Sequence, residues 1–144
     1  MQLDPKIIRS SFELAKPIAN QVADKFYEIL WGTYPASKAL FVNVDMARQK
    51  QALIGSLVYI VDHIEDEAAL MKYLKDMGAR HINYGAEFPH YEMVGDSLLK
   101  TFEFFFKEKW TPELKGQWTL AYGVIAQVMK QGATEAAGSQ KQAA

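Results

Sequence analysis

The sequence predicts an all-α domain of about six to eight helices around one core. Three observations predict it. Apolar residues recur at helical spacing along almost the whole chain. Strand signals are scarce, with no Asn-Gly or Asp-Gly hairpin turn and no sustained apolar/polar alternation. Prolines, glycines and short polar capping residues bound the periodic runs.

Asp4 is a good N-cap, and Pro5 suits the first helical position. Ile8, Phe12 and Ala15 share one face of the helix that follows. Pro17 ends or redirects it, because the ring lacks a donor and clashes with the preceding turn. Ile18, Val22, Phe26, Ile29 and Leu30 mark a second helix, closed by Gly32 and Pro35. A short helical piece leads to Leu40 and Phe41. Residues 42–44 read as loop, and Asp45 caps a helix carrying Leu53, Ile54, Leu57, Val58, Val61 and Ile64. Its wide apolar face predicts a central position. Ile64-Glu65-Asp66 forms an acidic corner.

The next helix runs from about Glu67 through Leu70, Leu74, Met77 and His81. Gly85 is expected to break it, and Pro89 sits near the start of its successor. That successor is strongly apolar, with Met93, Val94, Leu98, Leu99, Phe102, Phe105 and Phe106. Thr111-Pro112-Glu113 combines an N-cap, an N1 proline and an acid facing the macrodipole. Leu114, Trp118, Ala121, Ile125, Val128 and Met129 line the last helix, and Gly132 marks its end or a weak point. Residues 133–144 lack a periodic face. The reading is one domain over 1–132, with 133–144 as a frayed or disordered tail.

The 144 residues are 49% hydrophobic and 23% charged, with net charge -1, which suits one globular domain with a substantial core. No basic block is present, so nucleic acid is not an expected partner. The chain has no cysteine, which removes disulfides, thiolate catalysis and Cys-ligated zinc, iron-sulfur or haem sites. The first residues hold no long apolar h-region, and no stretch approaches a membrane span. A cytoplasmic location without membrane attachment is the expectation.

Only three histidines exist, His63, His81 and His90. No HExxH, P-loop, GxSxG or EF-hand pattern occurs, and no two histidines share a helical ligand spacing. A cofactor needing a single nitrogen ligand is still compatible, and haem is the obvious one. His81 lies in an apolar-periodic helix. From that context alone, a core histidine bonded to a backbone carbonyl is the simpler reading.

Five strings in order change the weighing. They are Phe26-Tyr27-Glu28-Ile29-Leu30 with Tyr34-Pro35, Phe41 fourteen residues after Tyr27, Gln49-Lys50-Gln51-Ala52-Leu53, Arg80-His81-Ile82-Asn83-Tyr84-Gly85 followed by His90-Tyr91-Glu92-Met93-Val94-Gly95-Asp96-Ser97-Leu98-Leu99, and Trp118 with Ala121-Tyr122-Gly123-Val124. His81 and Tyr91 stand ten residues apart. From about Ile7 to Met129 the chain resembles the globins, and is most similar to bacterial single-domain globins and the globin domain of flavohaemoglobins.

The resemblance implies a globin fold around a haem b pocket. His81 becomes the proximal iron ligand through Nε2, its Nδ1-H meeting a carbonyl or side chain, with Tyr91 near that face. Phe41 packs on the porphyrin. Leu53, Leu57, Met77, Val94, Leu98, Ile125 and Met129 become pocket walls; without haem each is plain core. Arg80 and Tyr84 reach toward a propionate or lie on the surface. Tyr27, Gln49 and Leu53 form the distal side, Gln49 and Leu53 sharing one helix face. Without the resemblance, Tyr27 is a buried tyrosine bonded to some carbonyl, and Gln49 a solvated residue at a helix start. A phenol O–H and an amide N–H both donate to O₂, which polarises on binding, and do little for CO. Such bonds are worth roughly 1.5–3 kcal/mol each, about tenfold or more in affinity. His63 and His90 read as surface or packing residues.

One departure matters. Flavohaemoglobins place a glutamate near the end of the last helix to act on the proximal histidine. Counting from Tyr122, that position holds Ala133, and Glu135 would point elsewhere. A peroxidase-like electronic push is therefore weakened.

The expected function is reversible, high-affinity O₂ binding for storage, delivery or scavenging, with NO and CO as further ligands. The alternative is dioxygenation of NO to nitrate. The chain stops where a reductase domain would begin, so electrons for turnover are expected from a separate reductase. A gas sensor lacking an output domain and a haem-free helical interaction module rank below both.

Overall fold

The computed structural model describes residues 2–83 and 88–143, and every described element is helical. The α-helices are α1 (Pro5–Ala15), α2 (Ala19–Thr33), α3 (Met46–Asp62), α4 (Glu67–Asn83), α5 (Phe88–Phe106) and α6 (Pro112–Ala143). Short 3₁₀ turns at Lys16–Ile18, Pro35–Phe41 and Lys107–Lys109 link them. No described helix is long and apolar enough to cross a membrane.

The helix starts follow from their side chains. Asp4 accepts from the Lys6 amide at 3.0 Å, with Pro5 in the first turn. Asp45 accepts from the Ala47 and Arg48 amides at 3.1 and 3.3 Å. Thr111 Oγ1 accepts from the Leu114 amide at 3.1 Å. Each cap satisfies donors that the helix itself cannot, for about 1 kcal/mol. Pro17 stops α1 at Ala15, and the 3₁₀ turn around it feeds α2.

The larger core joins α1, α2, α3, α5 and α6 through Ile8, Phe12, Phe26, Val61, Phe102 and Trp118. Phe102 and Trp118 rings lie 4.5 Å apart, and the Trp118 indole donates to Ser11 Oγ at 2.9 Å. A second cluster ties α4 to α3, α5 and α6 through Ile60, Leu74, Tyr91, Ile125 and Met129. Tyr122 packs against both clusters.

Helices α4 and α6 make the most extensive packing of any helix pair described. Glycine permits it. A Cβ at Gly78 of α4 would collide with the Met129 backbone of α6, and a Cβ at Gly132 of α6 would collide with the Lys75 backbone of α4. This corrects the reading of Gly132 as a helix end. The helix runs through it to Ala143, and Ala133 beyond it is buried. Gly132 is a point of close approach to α4 within the helix rather than its end.

Backbone cannot yield as a flexible side chain can. Gly78→Ala and Gly132→Ala should therefore each cost about 1–3 kcal/mol. Gly55 lies mid-helix in α3, and a methyl group there would find nothing within 4 Å. Gly55→Ala should gain about 0.5–1 kcal/mol. Urea denaturation of the three variants checks the contrast in sign.

Candidate functional site

Tyr27 sits mid-helix in α2 and is only 3% exposed. Its ring meets Phe26 and Phe41 edge-on at 4.9 and 5.5 Å and Trp31 at 5.5 Å. Phe41 ends the 3₁₀ segment that follows α2. Gln49 lies in the first turn of α3, where its amide bonds the Asp45 carbonyl at 2.9 Å. From there its Nε2 donates to the Tyr27 hydroxyl at 3.0 Å. Leu53, one turn further along α3, is half-buried against the larger core.

The direction of that bond matters. Gln49 occupies an acceptor position on the phenol oxygen, so the phenol proton can be given elsewhere. Donation into the oxygen also polarises the O–H and strengthens it as a donor. Burial raises the Tyr27 pKa above its ordinary value, and the Gln49 bond opposes this only in part. The group therefore stays a neutral donor at physiological pH.

His81 lies in the last turn of α4, half-buried. Its Nδ1 is 2.6 Å from the Met77 carbonyl. A carbonyl only accepts, so Nδ1 carries the proton, and metal ligation would go through Nε2. Burial holds the ring below its ordinary pKa; the Met77 bond opposes this, and the Arg80 charge adds to it. A neutral imidazole protonated on Nδ1 is the form that haem iron takes, so the donor chemistry fits that group.

Most of the other predicted residues lie in the two core clusters or at their margins. Leu57 and Leu98 are buried in the larger core, with Val94 half-buried beside them. Tyr91, Ile125 and Met129 are buried in the second cluster, and Met77 packs on it. Phe41, Leu53, Met77 and Val94 come from four separate elements and are each half-buried. Arg80 is exposed, and Tyr84 lies outside the described residues. His63 stacks on Tyr59 at 3.9 Å, and its Nδ1 lies 2.9 Å from the Tyr59 carbonyl, a packing role. His90 is half-buried at the start of α5.

The Tyr122 hydroxyl donates to the Tyr91 carbonyl at 2.5 Å. The Tyr122 ring packs where a side chain on Gly95 would stand. Glu135 is at the surface, paired with Lys75 at 3.3 Å. Position 133 is a buried alanine. The partner that the structure gives His81 Nδ1 is thus a backbone carbonyl, a weaker acceptor than a carboxylate.

Trp31 was not legible as part of this group, although it stands four residues after Tyr27 on an apolar helix face. Its ring meets Tyr27 and Phe41, at 5.5 and 5.8 Å.

A family model described as Globin matches residues 24–129. The chain belongs to the globin family. A flavohemoprotein from Bacillus thuringiensis is 30% identical over 124 residues, covering 84% of this chain and 30% of that protein. The globin thus spans about a third of the length of the curated relatives it matches. Among solved structures, a bacterial globin from Campylobacter jejuni has a TM-score of 0.78 at 22% identity, covering 91% of this chain and 94% of that one. An engineered carbene transferase, "putative nitric oxide dioxygenase from Rhodothermus marinus", has a TM-score of 0.85 at 20% identity, covering 97% and 99%. Those likenesses show the same all-α globin fold. At the level of the family, haem and O₂ binding follow for this globin.

Burial raises the pKa of Tyr27, Tyr91 and Tyr122 alike. A tyrosine whose folded pKa exceeds its unfolded value keeps its proton longer in the native state. Stability should therefore be constant up to about pH 10, the unfolded value, and fall as pH rises beyond it. Denaturant midpoints measured from pH 8 to 12 should show that fall, with a shallower slope in Tyr27→Phe.

Proposed function

We propose that this globin holds haem b through His81 and binds O₂ reversibly and tightly at ferrous iron, for storage, delivery or scavenging. The observation that carries the reading is the half-buried Gln49–Tyr27 bond at 3.0 Å. Haem, when bound, supplies an iron that takes small diatomic ligands in its reduced state.

The chain's own residues do the rest. His81 presents Nε2 with the ring fixed by the Met77 carbonyl. Tyr27 donates its phenol proton to a polarised diatomic ligand, and Gln49 orients and strengthens that donor. Phe41, Leu53, Leu57, Met77, Val94, Leu98 and Ile125 form the apolar wall that limits water and so limits iron oxidation. Tyr91, whose carbonyl accepts from the Tyr122 hydroxyl, belongs to the histidine side in this reading. O₂ gains more from Tyr27 than CO does, because it is the more polarised acceptor, and NO is a further ligand.

A second reading shares the same site. The donor pair retains O₂ long enough to meet NO, and the curated relatives that the chain resembles are flavohemoproteins. In that reading NO is oxidised to nitrate, with electrons from a reductase. The backbone partner of His81 Nδ1 favours binding over redox chemistry that relies on an electron-rich imidazole.

Stopped-flow O₂ release tests the proposal. Tyr27→Phe should speed dissociation about tenfold or more, the loss of one hydrogen bond to a strongly polarised acceptor. Gln49→Leu should speed it by less, because its effect passes through the Tyr27 oxygen. An unchanged rate in Tyr27→Phe removes that residue from the distal role. Mixing the O₂-loaded protein with NO in the presence of a reductase separates the two readings: sustained nitrate production favours the enzyme, and a single turnover that leaves ferric iron favours the binding protein.

A further inference from the structure

Three residues of α2 pair in order with three of α3. Gln49 Nε2 donates to the Tyr27 hydroxyl at 3.0 Å. Lys50 Nζ meets Asp24 Oδ1 at 2.9 Å. Gln51 Nε2 donates to Asn20 Oδ1 at 3.0 Å. Asn20, Asp24 and Tyr27 are spaced four and three residues apart, so they form one stripe on α2. Gln49, Lys50 and Gln51 are consecutive and lie within a single turn of α3. The stripe spans about 10 Å along its axis, and the three residues of α3 about 3 Å. The links therefore fan out from one turn. A single link lets one helix pivot on another, whereas three spread links resist both pivoting and sliding.

Little else fixes that turn. Over residues 46–52 Met46 alone packs against the larger core, and it is half-buried. Ala47, Arg48 and Ala52 are exposed, as is the loop 42–45 before them. The first buried residue of α3 is Leu57, about two turns beyond Gln49. The Gln49–Tyr27 bond tolerates little movement, since N–H···O bonds lie at about 2.7–3.2 Å.

We infer that Asp24–Lys50 and Asn20–Gln51 are positioning pairs, which hold the start of α3 so that Gln49 stays within reach of Tyr27. Asn20, Asp24 and Gln51 are exposed and Lys50 half-buried, so the pairs act through Gln49 from outside. Exposed pairs contribute little to overall stability, and their effect is local to a turn that the core does not hold. The consequence for O₂ release rests on the distal role proposed for Tyr27 and Gln49; the positioning itself does not.

The test is NMR of the ¹⁵N-labelled full chain, as purified and again after haem is supplied. The Gln49 side-chain amide signals are identified by their loss in Gln49→Leu. Lys50→Met combined with Gln51→Ala removes both pairs and keeps the lysine's apolar stem. In that double variant the Gln49 signals should move toward those of solvated glutamines. Asp24→Asn combined with Asn20→Ala breaks the same pairs from α2 and should move them alike, while Lys50→Arg, which preserves the ion pair, should leave them in place. With haem bound, the α3 double variant should release O₂ roughly two- to fivefold faster. The same changes added to Gln49→Leu should give no further acceleration. Unmoved Gln49 signals overturn the inference, as does an equal acceleration in the Gln49→Leu background. Moved signals with unaltered O₂ release support the positioning and count against the distal role of Gln49. A chain that takes up no haem sinks the haem reading and leaves the amide test standing.

Discussion

The bond from His81 Nδ1 to the Met77 carbonyl is the constraint on which the candidate site turns. It lies within one helix, so α4 carries both the ring and the group that orients it. Burial keeps the imidazole neutral, and the carbonyl selects its tautomer. Either effect alone is insufficient. A charged ring cannot ligate a metal, and a neutral ring with the opposite tautomer presents the wrong nitrogen. Because the acceptor is a carbonyl rather than a carboxylate, the histidine is held firmly without being driven toward imidazolate.

That constraint passes to the helix packing. The position of His81 depends on where α4 lies, and α4 is fixed chiefly against α6. Gly78 and Gly132 let the two backbones approach at points where any side chain would force them apart. The donor side has a separate support, in which α2 and α3 bring Tyr27 and Gln49 into contact over the ring of Phe41. Tyr122, packed against both core clusters, connects the two supports. The proposed haem site draws one group from each support, so each is braced independently of the other.

Much of the fold was legible because its signals are local. Asp4, Asp45 and Thr111 act as caps, and Pro17 ends α1, through contacts within a few residues of themselves. The apolar period placed Ile8, Phe12, Val61 and Phe102 in the core for the same reason. Gly132 was misread because a helical glycine looks like a weak point unless the opposite backbone is known. Nor do three histidines alone single out His81; the resemblance did so, and the neutral tautomer then gave it a chemical basis. Tyr27 and Gln49 were expected as parallel donors. Their arrangement in series is a cross-helix fact, invisible in either segment. Trp31 escaped notice because an aromatic at helical spacing reads as core.

The most direct measurement is the absorption spectrum of purified His81→Ala beside the unaltered protein, each expressed with haem supplied and scanned in its ferric, reduced and gas-treated forms. The account predicts a Soret band in the parent, its loss or weakening in the variant, and recovery of ligand chemistry when free imidazole is added. A variant that keeps full colour and normal ferrous gas binding without imidazole would contradict it.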